Sequence, residues 1–153
     1  QHHRHRTWSY NEISRRYTDI NLEFYEPKQF RQQSQSNRQA STDCLFDPQL
    51  DDMLGGASEI VKEHHEASLH IYNKLLEAGV CREQARGALP QNLYTEYYGT
   101  CNLNNLFKFI GLRMHEGAQW EIQQVAKACL EIAEELFPVT VESWKIIMKE
   151  LKL

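Results

Sequence analysis

No apolar run in this 153-residue chain approaches the length of a membrane-spanning helix, so no helical span is expected. No stretch joins a cationic start to an apolar middle in the manner of a secretory leader. Cysteine is sparse and scattered. Cys44, Cys81, Cys101 and Cys129 form no C-x-x-C pair, and no histidine stands at zinc-finger spacing, which excludes the usual zinc modules and leaves no metal site to expect. A chain of this size does not need disulfides, and reduced thiols in a cytoplasmic setting are the expectation. Positive charge is not in excess: a net charge of -4 and a pI near 6.0 argue against a general nucleic-acid binder. Internal repeats are absent. With 41% hydrophobic residues, residues 1–153 read as one globular domain with one core.

Against that acidic background the first residues stand out. Four arginines (Arg4, Arg6, Arg15, Arg16), three histidines (His2, His3, His5) and one acid (Glu12) crowd into seventeen positions. Guanidinium groups bind phosphate through paired, charge-assisted hydrogen bonds, so the segment points to a phosphorylated small molecule. Ser9, Asn11 and Ser14 add short donors and acceptors. The competing reading is a basic arm that touches nucleic acid. Trp8, Tyr10, Ile13 and Tyr17 oppose it by interrupting the charges with groups that favour burial. The chain opens at Gln1, inside its densest chemistry, and the expectation is that preceding segments are missing from it.

Further along, Asn21–Tyr25 reads as a strand stopped by Pro27. Residues 29–48 carry mostly Gln, Ser, Asn and Arg and read as a flexible loop. Asp47-Pro48 offers a helix start, although Gly55-Gly56 moves the true beginning toward Ser58. Apolar residues from Leu50 to Leu76 recur at helical steps, and Gly79 suits the C-terminal cap. His64, His65 and His70 fall on this helix and read as parts of its solvated face. Arg82–Ala88 is a short helix before Pro90, and Leu93–Cys101 reads as extended. Asn102 is an N-cap for the helix of Leu103, Leu106, Phe107, Ile110 and Met114. Another helix runs from about Gly117 to Phe137, its buried side supplied by Trp120, Ile122, Val125, Cys129, Leu130, Ala133 and Leu136. Trp144, Ile147, Met148 and Leu151 suggest a last one. The fold class is α+β, mostly helical with a few antiparallel strands.

Three blocks together resemble one family, the flavin-dependent thymidylate synthases, also described as thymidylate synthase complementing proteins. The first is Arg4-His5-Arg6 with Ser14 after seven intervening residues, the R-H-R-x7-S signature. The second runs Arg82-Glu83-Gln84-Ala85-Arg86-Gly87-Ala88-Leu89-Pro90, through Asn92-Leu93-Tyr94-Thr95, to Thr100-Cys101-Asn102. The third is Leu112-Arg113 followed by Ala118-Gln119-Trp120-Glu121-Ile122. The resemblance covers about two thirds of the chain and leaves out residues 29–60.

The resemblance implies reductive methylation of dUMP to dTMP. Methylenetetrahydrofolate would give the carbon, NADPH the electrons, and FAD would carry the hydride. It implies a homotetramer whose sites are shared between subunits, with neither nucleic acid nor membrane as partner. Arg4, His5, Arg6, Glu12 and Asn102 are then flavin contacts. Asn104 stands where a basic residue is frequent and Lys108 where asparagine or histidine touches flavin, and both are carried over as flavin contacts. The nucleotide falls to Gln1, Arg4, Glu12, Ser14, Arg15 and Arg16, with Arg86 coming from another subunit. Arg113 matches the catalytic arginine that favours the N3-deprotonated uracil and also touches the nucleotide. The physical logic agrees: charge building on a uracil ring calls for a cation that does not lose its own proton. His2-His3 and His115-Glu116-Gly117 depart from the family pattern. The alternative to an enzyme is a non-catalytic flavin- and nucleotide-binding relative.

Overall fold

Residues 1–14, 22–38, 40–50, 53 and 55–151 are described by the structure, a computed structural model. The strand expected to begin at Asn21 lies partly outside this range, as does Tyr17. The chain divides into two compact units, Gln1–Tyr10 with Gln33–Thr42 and Gly99–Leu153, and Asn11–Gln32 with Asp43–Tyr98.

In the second of these units the apolar periodicity becomes helix α1, Ala57–Glu77, followed by the short α2, Arg82–Ala85, and a 3-10 turn over Arg86–Ala88. Ala57, His65, Ser68 and Tyr72 share the buried face of α1. Its end is set by Gly79, at φ +84°. This left-handed residue lets the Gly79 and Val80 N–H groups reach the Leu76 and Leu75 carbonyls, each at 2.9 Å. His64 and His70 are exposed as expected, but His65 is not, at 2% exposure. The sequence pattern misplaced it because the polar partners that permit its burial come from distant residues.

The start of α1 is capped from outside the helix. Asp47 opens no helix of its own. Its Oδ1 accepts from the Ser58 N–H at 2.9 Å, and its Oδ2 from the Ser58 hydroxyl at 2.6 Å, ten or more residues along the chain. A Cβ added to Gly56 would lie 2.5 Å from Asp47 Oδ2, so the carboxylate would have to shift to admit one. The Ser58 hydroxyl, and after it the Ser58 N–H, hold the Asp47 carboxyl below the usual carboxylate range. A depressed folded pKa contributes stability above the unfolded value, and that stability is lost as pH falls through the folded one. Asp47→Ala is therefore expected to lower Tm near neutral pH. The gap from wild type should close as pH falls below about 4, the ordinary aspartate pKa. Thermal melts across this range check it, and a gap that does not change with pH would contradict the assignment.

Residues 29–48 are not the loop expected from their composition. They hold β2, Phe30–Gln33, and β3, Ser41–Phe46, which pair as a two-stranded sheet. Composition reports what can be buried, whereas this turn is made by hydrogen bonds. The Ser34 N–H donates to the Ala40 carbonyl at 3.1 Å, and the Gln33 amide donates to the Asn37 and Ala40 carbonyls at 3.1 and 2.9 Å. A second two-stranded sheet joins β1, Ser9–Glu12, to β4, Tyr97–Thr100. Phe24 and Leu93 form an isolated antiparallel bridge.

The other unit is built on α3, Leu103–Arg113, α4, Trp120–Leu136, and α5, Pro138–Leu151. Asn102 caps α3 as the sequence suggested, its Oδ1 accepting from the Asn105 N–H at 2.9 Å. Phe107, Phe109, Ile110, Ala126, Ala133 and Val141 form the core, and the Phe107 ring stacks on Trp144 with centroids 5.0 Å apart. The buried stripe of α4 is centred on its alanines. Trp120, Val125 and Leu136, expected inside, are 46%, 48% and 65% exposed. Small residues let α4 approach its neighbours closely and turn the larger ones outward. The whole is α+β with short antiparallel strands. Among the described residues no helix is long and apolar enough to cross a membrane.

Candidate functional site

In the unit of residues 11–32 and 43–98, a cavity of about 290 Å³ is lined by Glu12, Ile13, Ser14, Arg86, Leu89, Pro90, Leu93, Tyr94 and Thr95. The turn that ends α2 before Pro90 places Arg86 on its rim, and the Arg86 Nε–H donates to the Glu83 carbonyl at 3.3 Å. Glu12 ends β1, where the Thr95 hydroxyl donates to its Oε1 at 2.9 Å. The Ile13 N–H donates to the Glu96 carbonyl at 3.0 Å and carries the pairing one step past the strands. One cation, one carboxylate, three hydroxyls and an apolar wall thus line one space of small-ligand size.

In the other unit the first residues fold against α3. His2–Arg4 form a 3-10 turn, and the Tyr10 hydroxyl reaches the His2 and His5 carbonyls at 3.0 and 3.1 Å. Arg113, at the end of α3, donates from Nε to His5 Nε2 at 3.0 Å. Its Nη1 and Nη2 donate to the side-chain and backbone oxygens of Gln1, each at 3.2 Å. Burial, then the Arg113 charge, keep the His5 pKa low. A neutral His5 with its proton on Nδ1 is the form that accepts the Arg113 N–H. The His2 pKa falls to about 4, through burial first and the charges of His5 and His3 next. Edge-on contacts of His2 with Trp8 and Phe109, at 4.4 and 4.8 Å between centroids, surround it with aromatic carbon.

A third feature lies along α3 and α5. Asn104, Phe107, Lys108, Gly111, Leu112, His115, Trp144 and Met148 line a cavity of about 600 Å³. Its wall is apolar and aromatic, and Lys108, Asn104 and His115 supply the polar groups. That donor set fits a group with a flat apolar body and an anionic end, as a flavin nucleotide has. Among the described residues no cluster of His, Cys, Asp and Glu is placed to hold a metal ion.

The family profile described as thymidylate synthase complementing protein matches residues 1–139. The chain belongs to the thymidylate synthase complementing protein family. Its similarity extends to a protein of Thermus thermophilus named flavin-dependent thymidylate synthase, 46% identical over 136 residues that cover 89% of this chain and 48% of that protein. One of the same name from Thermosipho melanesiensis is 40% identical over 141 residues, covering 92% of this chain and 60% of that protein. Among solved structures, the crystal structure of a UMP/dUMP methylase, PolB, from Streptomyces cacaoi bound with 5-Br UMP has a TM-score of 0.76. It is 32% identical, with 94% of this chain and 66% of that one covered. The chain spans about half the length of the Thermus relative.

Within this family member the sequence-derived residues fall into groups. Glu12, Ser14 and Arg86 share the smaller cavity. Gln1, His5 and Arg113 are hydrogen-bonded together, and Asn104 and Lys108 share the larger cavity. Arg4 and Arg6 are exposed and line neither cavity. The Asn102 Oδ1 is committed to its helix cap. Arg15 and Arg16 lie outside the described residues. Sequence reasoning missed the second wall of the smaller cavity, Leu89 to Thr95, and the grip of Thr95 on Glu12. Both lie within the second family block, but no spacing rule links position 95 to position 12. It also missed that His5 and Gln1 hold Arg113.

Proposed function

We propose that this chain carries the nucleotide and flavin contacts of a flavin-dependent thymidylate synthase. The reaction is the reductive methylation of dUMP to dTMP, with methylenetetrahydrofolate as carbon donor and NADPH as reductant. The observation that carries this reading is the convergence of Glu12 and Ser14 with Arg86 on one cavity, residues of two family blocks that stand more than seventy positions apart in sequence. In the proposal Ser14, Arg15 and Arg16 hold the dUMP phosphate, joined by Arg86, which the resemblance brings from another subunit and which in this chain lines the same cavity as Ser14. Glu12, oriented by Thr95, takes up the nucleotide's polar edge and the flavin's. Arg113 stabilises negative charge on the uracil ring from a guanidinium already ordered by His5 and Gln1. Gln1 and Arg4 complete the nucleotide contacts.

FAD, when bound, supplies the hydride chemistry, and Arg4, His5, Arg6, Asn102, Asn104 and Lys108 are the residues proposed to hold it. No thiol nucleophile is needed. Burial raises the Cys101 and Cys129 pKa values, with Cys129 adding to the effect on Cys101, so both stay protonated at neutral pH. A homotetramer belongs to the same proposal. Its support is apolar surface on α4 and α5, where Val125, Ile132, Leu136 and Val139 are 48%, 58%, 65% and 80% exposed. A cytoplasmic setting is proposed with it, on the strength of Cys81, Cys101 and Cys129 standing as free thiols.

The test is proton release from uracil C5 when the protein is given FAD, NADPH, methylenetetrahydrofolate and dUMP. Release that requires all four supports the enzyme. Retention of FAD with a nucleotide-dependent spectral shift but no release would identify a binding relative instead. A colourless protein that ignores dUMP would overturn both.

A further inference from the structure

His65 is the most buried histidine among the described residues and lines none of the cavities described. Its ring lies on Phe24, with centroids 4.7 Å and planes 16° apart. Its Nδ1 is 3.0 Å from Glu26 Oε1, and its Nε2 is 2.6 Å from Asn92 Nδ2. The Asn92 amide nitrogen also lies 2.9 Å from the Tyr25 carbonyl oxygen. These contacts settle where the protons are. A carbonyl oxygen only accepts, so the Asn92 atom facing Tyr25 is the NH2 group, and its second N–H is aimed at His65 Nε2. Nε2 therefore carries the lone pair and Nδ1 the proton, which it donates to the Glu26 carboxylate. One tautomer satisfies every contact.

This network stands directly behind the smaller cavity. Asn92 lies between Pro90 and Leu93, which line it, while His65, Glu26 and Asn92 do not. The same backbone is pinned at Asn92 and again two residues on. The Tyr25 N–H donates to the Asn92 carbonyl at 2.9 Å, and the Tyr94 N–H to the Glu23 carbonyl at 2.8 Å. Next along the chain is Thr95, whose hydroxyl holds Glu12. We propose that His65 is a positioning residue for the nucleotide cavity, fixing the 90–95 wall through Asn92 so that Thr95 presents Glu12 to the ligand. An aliphatic side chain would fill the same space but leave the half-buried Asn92 N–H without its acceptor, while the exposed Glu26 carboxylate could turn to water. The inference rests on reading that cavity as the dUMP site.

The experiment is a double-mutant cycle on this chain with His65→Phe and Asn92→Ala, read by calorimetric titration with dUMP. Each single variant is expected to raise the Kd about tenfold, the loss of one part-buried hydrogen bond to an ordered partner. The double variant should raise it no further, because both substitutions cut the same link. FAD retention should stay as in wild type. His65→Gln, with one acceptor for Asn92 and one donor for Glu26, should restore most of the affinity. A His65→Phe protein that melts earlier yet binds dUMP like wild type would reduce His65 to a core residue. Additive effects would show that it does not act through Asn92. If wild type itself ignores dUMP, the nucleotide reading fails, and amide exchange decides the positioning on its own. Faster exchange at Tyr25 and Tyr94 in His65→Phe supports it, and unchanged exchange overturns it. Should His65→Phe fail to fold, Asn92→Ala on its half-buried loop gives the same readouts.

Discussion

Arg113→Ala is expected to lower turnover by about a hundred- to a thousandfold while leaving the bound-flavin spectrum in place, the size of loss seen when one preorganised stabiliser of transition-state charge is removed. The preorganisation is visible. Three of the guanidinium nitrogens are engaged, by His5 Nε2 and by both oxygens of Gln1, so the charge is held at the end of α3 before any substrate arrives. Arg113→Lys should recover little, since an ammonium keeps the charge but cannot reproduce the planar three-way tether. Single-turnover kinetics with FAD already reduced separates the chemical step from flavin loading. Turnover within threefold of wild type in Arg113→Ala would remove Arg113 from the chemistry.

Arg86→Ala is expected to act on binding. A hydrogen bond to a charged group contributes about 1.5–3 kcal/mol, so the dUMP Kd should rise about ten- to a hundredfold. The effect should depend on the phosphate. Deoxyuridine, which lacks it, should bind wild type and variant alike, because the rest of the cavity wall, from Leu89 to Thr95, is unchanged. Titrations with both ligands decide the point. An equal loss for nucleoside and nucleotide would mean that Arg86 supports the wall and does not grip the phosphate.

What could be read from the sequence was local. The Asn102 cap and the Gly79 stop depend on a few neighbouring residues, and the pattern of apolar steps located the helices between them. The family blocks pointed to Glu12, Ser14 and Arg86, which line the smaller cavity, because their order along the chain is itself the signature. What escaped was held by pairs far apart in sequence. Asp47 caps a helix that begins ten residues later, His65 is buried because Glu26 and Asn92 meet its two nitrogens, and Thr95 reaches Glu12. The β2–β3 hairpin escaped for another reason: a Gln- and Ser-rich turn satisfies its backbone through side-chain amides, which hydrophobic patterning does not register.

The cap on α1 also bears on how this sequence can drift. A side chain at position 56 makes the Asp47 carboxylate shift from its place at the helix end, so a mutation there disturbs what position 47 provides. Once the acid is gone, position 56 no longer has a reason to stay bare. The two sites are thus free to change together and constrained when changing alone. Relatives that lack the acid should be the ones that tolerate a side chain at the other position, and they must start the equivalent helix with a cap of its own.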